Sequence, residues 1–266
     1  MEKLVAANKR LWDELAAVHA ESKFYDVQSF LAGKSSLKKI ELEEIGDIAG
    51  KSLLHMQCHF GMDSLSLARL GASVTGLDFS GKAIELARSL NTQLGLSARF
   101  VESDVAGARD VLDEQFDIVF TSYGVLVWLP DLKAWAKAIA DCLKPGGMFL
   151  LVDEHPFTYM LEQEGDRLEI KYSYFEREPI ELPVNGSYAD PDARIEQPVT
   201  YEWVHTISEV VTSLVQAGLT IESLREFPFC MYRKFESLVE NEDGYFESPD
   251  HPGLPLLYSL RARLRI

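Results

Sequence analysis

Apolar residues recur along this chain in two rhythms, one helical and one of short strands. Leu4, Leu11, Leu15 and Val18 share one side of an amphipathic helix predicted over residues 4–20. Residues 21–50 are mixed and rich in turn formers. From residue 52 short apolar runs alternate with helical spacing. Strands are predicted over 52–56, 73–77, 98–102, 117–121 and 148–152, and helices over 62–71, 81–93 and 105–113. A further helix has Pro130 at its start, where a missing N–H costs nothing. It carries Leu132, Trp135, Ala136, Ile139 and Leu143 at helical spacing and stops at "KPGG". The run "MFLLV" at 148–152 is apolar throughout, as suits a strand covered on both faces. This alternation predicts a doubly wound α/β fold around a mostly parallel sheet.

After residue 155 the texture changes. Tyr159, Tyr172, Tyr174, Phe175, Tyr188 and Tyr201 are interleaved with proline and glycine between Phe157 and Trp203. A core strand does not tolerate the Pro and Gly of "REPIELPVNGSYADPDAR", so an antiparallel or irregular insertion is expected, outside the parallel sheet and above its carboxyl edge. Regular α/β texture resumes with Thr206 and Glu209 at capping-box spacing and Gly218 as a helix terminator, followed by strands over 219–226 and 256–264. The chain thus divides into an N-terminal helical lid segment (1–50), an α/β core (51–155), an inserted cap (156–205) and a C-terminal helix and hairpin that complete the sheet (206–266).

Composition narrows the possible partners. The 266 residues carry a formal net charge of −16. A surface this acidic repels phosphate backbones and anionic lipid, so neither nucleic acid nor membrane is an expected partner. No apolar run approaches the ~20 residues that span a bilayer. The charged start "MEKLVAANKRLWDEL" lacks the apolar centre of a signal peptide, so a cytoplasmic protein is expected. Cys58, Cys142 and Cys230 are far apart and suggest neither zinc nor a disulfide framework.

In doubly wound sheets ligands bind at the carboxyl ends of the strands. Polar residues gather at those ends: His55 to Gly61, Asp78, Asp104, Tyr123, and Glu154 with His155. Asp78 closes the second strand of a βαβ unit, where a carboxylate accepts hydrogen bonds from ribose hydroxyls; the competing role is a helix cap. Asp104 ends the third strand, placed to read an adenine amino group or to cap the next helix. His55 and His59 bracket a strand-to-turn junction. Residues four apart share a face only on a helix, so no metal site is expected. His155 is a candidate base at the end of the fifth strand, with a hydrogen-bonded loop histidine as the alternative, and Tyr123 ends the fourth strand, where it lines the site or packs.

The string "LLHMQCHFG…GLDFS…SDV…FDIVFTSYGVLVWLPD…LKPGGMFLL" resembles the class I S-adenosylmethionine-dependent methyltransferases, in particular their small-molecule branch, over about residues 50–155. The resemblance implies a Rossmann-like seven-stranded sheet whose last strand is antiparallel. It implies S-adenosyl-L-methionine as cofactor, held by Gln57, His59, Gly61, Asp78, Phe79, Asp104, Val105 and Tyr123. In the family's first motif His55 stands for the acid, Gln57 and His59 for the first two glycines, and Gly61 keeps the third. A dinucleotide needs glycines because backbone must approach its pyrophosphate. S-adenosylmethionine has no pyrophosphate, so the substitutions weigh more against NAD than against it. The expected reaction moves a methyl group to a small-molecule acceptor, with His155, Glu154 or Tyr123 as base and Tyr188 and Trp203 among the walls of the acceptor pocket. An NAD-dependent oxidoreductase and a non-catalytic protein of the same fold are the alternatives.

Overall fold

The computed structural model describes residues 1–165 and 167–266. The N-terminal segment forms α1 (Glu2–Glu21), α2 (Val27–Leu31) and α3 (Lys39–Ile45). The core follows as β1 (Ser52–Met56), α4 (Met62–Arg69), β2 (Ser73–Asp78), α5 (Gly81–Gln93), β3 (Arg99–Glu102), α6 (Ala108–Val111), β4 (Phe116–Ser122), α7 (Leu132–Cys142) and β5 (Leu143–Glu154). Next come two hairpins, β6 (Leu161–Glu164) with β7 (Arg167–Ile170) and β8 (Ile180–Pro183) with β9 (Val199–Glu202). Helix α8 (Ile207–Gln216) leads into β10 (Leu219–Phe227). A small sheet of β11 (Phe229–Cys230), β12 (Val239–Glu240) and β13 (Phe246–Glu247) precedes the last strand, β14 (Leu257–Leu264).

The main sheet has seven strands in the order β10-β14-β5-β4-β1-β2-β3. Strands β1 to β5 run parallel to one another, and β14 is antiparallel to both β5 and β10. The chain builds outward from β1 through β2 to β3, then returns to β4 on the other side of β1. That reversal opens a crevice above the carboxyl ends of β1 and β4. Apolar side chains fill both faces. One face packs Leu54, Val119, Phe149 and Leu151 against Trp135 and Ile139 of α7 and Leu214 of α8. The other packs Leu53, Ile118, Phe120 and Leu150 beneath Ile40, Ile45 and Leu67. Coverage on both sides explains why β5 shows no alternation.

The capping box on α8 forms as its sequence predicts: Thr206 Oγ1 accepts from the Glu209 amide at 3.2 Å, and Glu209 Oε2 accepts from the Thr206 amide at 2.9 Å. Three expectations shift. The helix over 105–113 shrinks to Ala108–Val111, because the Asp104 carboxylate accepts from the Gly107 amide at 2.7 Å and holds the chain in a turn. Helix α7 starts later than expected: Asp131 caps it, accepting from the amides of Lys133 and Ala134, and Pro130 lies just before the cap rather than in the first turn. The "KPGG" residues fall inside the span of β5, so the helix ends at Cys142. As expected, β6 to β9 pair only within their hairpins and stay out of the main sheet. Among the described residues no helix is long and apolar enough to cross a membrane.

Candidate functional site

The carboxyl ends of β1, β2, β4 and β5 and the chain beyond β3 face a cavity of about 1610 Å³. Its floor is the turn after β1. Gln57 (φ 57°), His59 (φ 52°) and Gly61 (φ 81°) all adopt left-handed backbone. A residue with a side chain costs about 1–2 kcal/mol there, so two non-glycines need compensation. Gln57 Nε2 donates to the Val125 carbonyl at 2.9 Å, and the amides of Cys58 and His59 donate to Leu77 O and Asp78 Oδ2 at 3.0 and 2.8 Å. The turn therefore keeps a glycine-type shape while carrying two polar side chains. Gly61 has no such latitude: a Cβ there would lie 2.7 Å from the Phe100 ring and 2.9 Å from Ala87.

Asp78 ends β2 beside this turn and is only 6% exposed. Its Oδ1 accepts from the Ser80 amide at 2.9 Å, and its Oδ2 from His59. Burial pushes its carboxyl up to about 6, against the pull of those two amides. Each carboxylate oxygen retains a second lone pair for a ligand. The Ser103 amide donates to the Asp78 carbonyl at 2.9 Å, which sets the neighbouring Asp104 on the same rim. Phe79, Asp104 and Val105 line the cavity with Asp78. Asp104 thus caps its turn and lines the cavity at once.

The far end of the cavity is ionic and aromatic. Glu154, 6% exposed, accepts from the Tyr232 hydroxyl at 2.7 Å through Oε1 and pairs with the Lys234 ammonium through Oε2. Lys234 Nζ lies 3.9 Å from the centroid of the Tyr159 ring. Tyr188 and Tyr232 pack with centroids 5.3 Å apart, and Glu202 lines the same region. His155 is elsewhere. It does not line the cavity; its Nε2 bonds Glu226 at 2.9 Å and its Nδ1 accepts from the Phe157 amide at 3.1 Å. Both ring nitrogens are spent in holding the start of the insertion. Trp203 is also buried away from the cavity, its amide donating to Val127 O at 2.8 Å. Tyr123 (φ 55°) does line the cavity, and burial beside Glu41 pushes its hydroxyl well above the ordinary range, which suits packing better than proton transfer.

Several residues went unmarked in the sequence. Asp153 accepts from the amides of Gly124, Val125, Leu126 and Glu154 and so shapes the loop after β4. Burial pushes its carboxyl up to about 7. Its position in an otherwise apolar strand was the available signal. Lys234 and Tyr232, in "CMYRKF", carry no periodic signal at all.

The roof joins distant segments. Asn8 of α1 donates to the Tyr201 carbonyl of β9 at 2.6 Å and accepts from the Tyr201 amide at 2.9 Å. Glu14 accepts from the amides of Glu196 and Gln197. His19 bonds Ser187 Oγ at 2.6 Å and His59 at 3.3 Å, and Tyr25 bonds Tyr188 hydroxyl to hydroxyl. Burial holds the His19 imidazole down at about 4 and His59 well below its ordinary value, so both are neutral at pH 7. The side chain that replaces the second glycine therefore reaches the roof.

Residues 53–147 match the family model described as a methyltransferase domain. The ubiquinone biosynthesis O-methyltransferase of Shewanella pealeana is 35% identical over 102 residues, which are 38% of this chain and 43% of that protein. The protein of that name from Pseudomonas putida is 27% identical over 171 residues, 64% of this chain and 69% of that protein. The chain thus spans less than half the length of several of these curated relatives. A crystal structure described as a putative S-adenosylmethionine-dependent methyltransferase from Listeria monocytogenes shares the fold, with a TM-score of 0.60 at 17% identity over 85% of this chain and 97% of that one.

Proposed function

We propose that the chain is a class I S-adenosylmethionine-dependent methyltransferase, a reading supported by the methyltransferase-domain match and the shared fold, and that it moves the methyl group of S-adenosylmethionine to a small-molecule acceptor. The observation that carries this reading is the meeting of Asp78 and Asp104 on one rim of a cavity whose opposite end is an aromatic and ionic pocket. Asp78 would accept from both ribose hydroxyls. Asp104 and Val105, with Phe79, would hold the adenine. The turn of Gln57, His59 and Gly61 would take the amino acid end. Gln57 Oε1 is buried without a hydrogen-bond partner among the described residues, and an ammonium donor would satisfy it.

The bound cofactor supplies an electrophilic methyl on a sulfonium. The chain's part is alignment of the acceptor and exclusion of water, so proximity carries most of the rate. In this reading residues 51–155 hold the cofactor, residues 206–266 complete the sheet beneath it, and residues 1–50 and 156–205 close over the cavity. The O-methyltransferase names of the relatives support an oxygen acceptor. The net charge of −16 supports a small molecule rather than nucleic acid, and three unpaired cysteines suit a reducing compartment.

Calorimetry tests the reading. S-adenosylhomocysteine should bind and NAD should not. Heat from NAD alone would turn the assignment to an oxidoreductase, and heat from neither would leave the fold without the chemistry.

A further inference from the structure

Trp12 of α1 lines the cavity. Its ring meets His59 edge to face, with centroids 5.4 Å apart, and meets Trp128, in the chain beyond β4, at 5.3 Å. Two sets of contacts tie it to the Asp78 carboxylate. On one side Asp78 Oδ1 accepts from the Ser80 amide, and the Ser80 hydroxyl donates at 2.7 Å to Oδ1 of Asp13, the next residue along α1. On the other side Asp78 Oδ2 accepts from the His59 amide, and the His59 ring stands against Trp12. The Lys82 amide also donates to Asp13 Oδ1, at 3.2 Å, so α1 is docked on the first turn of α5, directly beyond Asp78. The Trp12 indole Nε1 is buried and has no hydrogen-bond partner among the described residues. Indole is a donor only, and a buried donor without an acceptor is costly. Trp135 and Trp203 bury an unpaired indole too; the link to Asp78 is what sets Trp12 apart.

We propose that α1 is part of the cofactor site: the Trp12 indole N–H donates to a ribose hydroxyl oxygen whose own proton is shared with Asp78. The inference rests on the methyltransferase reading above and deepens it. A hydroxyl is donor and acceptor at once, so one ribose oxygen serves both residues. The cofactor's other groups fit this place less well. Its ammonium has no lone pair to offer an indole, and its adenine falls to Asp104 and Val105 at the next strand end. The carboxylate of its amino acid end is also an acceptor, and the experiment separates that group from the ribose. Trp12 is then a binding residue and not only a cover. Asp13 and Ser80 are positioning residues, which hold the indole beside the acid that shares its ligand.

Magnetic resonance reads the contact directly. The four tryptophans give four indole N–H signals in nitrogen-15-labelled protein. Trp12→Phe keeps a ring against His59 and Trp128 and identifies the Trp12 signal by its loss. Saturation with S-adenosylhomocysteine should move that signal downfield, as a new hydrogen bond does. Trp12→Phe should weaken S-adenosylhomocysteine and adenosine alike, about fivefold, the worth of one neutral hydrogen bond. Of 2′-deoxyadenosine and 3′-deoxyadenosine, one should bind wild type and variant equally, because the hydroxyl that accepts from Trp12 is gone. Should Trp12→Phe fail to fold, the wild type carries the test: the indole signal that moves with adenosine should stay still with one of the two deoxyadenosines. A Trp12 signal that does not move, or a loss in the variant that persists with both deoxyadenosines, overturns the proposal. So does a loss for S-adenosylhomocysteine with none for adenosine, which would place the donor at the carboxylate. Adenosine that fails to bind where S-adenosylhomocysteine binds overturns it too. Failure of S-adenosylhomocysteine itself to bind strikes the methyltransferase reading instead.

Discussion

The two ends of the cavity are built in opposite ways. The floor comes from residues close in sequence: Gln57, His59, Gly61, Asp78 and Asp104 stand at or just beyond the ends of β1, β2 and β3, three successive strands. The roof and the far end of the cavity draw on Asn8, His19 and Tyr25, on Ser187, Tyr188 and Glu202, and on Tyr232 and Lys234. At the floor, backbone geometry does the work and the tolerance for change is small. At the roof, side-chain bonds join segments that have no strand register in common. The teaching point is His59, which belongs to both. Its amide donates to Asp78 in the floor, and its ring meets His19 and Trp12 in the roof.

The contrast can be broken most severely at Gly61. Gly61→Val adds a β-branched side chain at φ +81°, against Phe100 and Ala87. Strain and overpacking together should cost about 3 kcal/mol, read as a lower denaturant midpoint. His59→Gly at the same turn should cost far less. Equal losses would show that the turn's shape and its side chains matter alike. Next in size, Asp78→Ala should weaken S-adenosylhomocysteine binding by about 1.5–3 kcal/mol, the range for hydrogen bonds to charged groups. An unchanged affinity in a folded variant would move the ribose elsewhere.

The pH dependence follows from the same carboxylate. Unfolded, Asp78 titrates near 3.8; folded, burial raises it to about 6. The folded chain therefore keeps the proton to higher pH, and this group favours folding at low pH and opposes it increasingly as pH rises from about 4 to about 6. Ligand binding has the reverse sense, because the ribose hydroxyls need the ionised form. Affinity for S-adenosylhomocysteine should be level above about pH 7 and fall, at most tenfold per unit, below about pH 6. Asp78→Asn should flatten that slope; a slope that persists belongs to another group.

The smallest effects belong to the roof. Asn8→Ala removes three hydrogen bonds between α1 and β9 and should cost about 1–2 kcal/mol. Hydrogen exchange should rise in both elements while the floor stays protected. Tyr188→Ala should lower acceptor turnover several-fold more than it lowers cofactor affinity. Equal loss of both would make the roof part of the cofactor site rather than a separate wall.

Much of the floor was legible in the sequence. Apolar runs covered on both faces gave β1, β4 and β5, and strand ends located Asp78 and Asp104, because period and burial are local properties of a chain. Local caps were legible too where both partners lie within one turn, as with Thr206 and Glu209. The sequence did not reveal that Gln57 and His59 take the left-handed shape of the glycines they replace, since bonds to Val125 and Asp78 from other strands decide it. Nor did it reveal that His155 turns to Glu226 while Lys234 turns to Glu154. Those pairings join residues far apart along the chain. Only the pairing of β14 with β5 and of β10 with β14 brings them together, so the tertiary structure, not local pattern, determined the far end of the cavity.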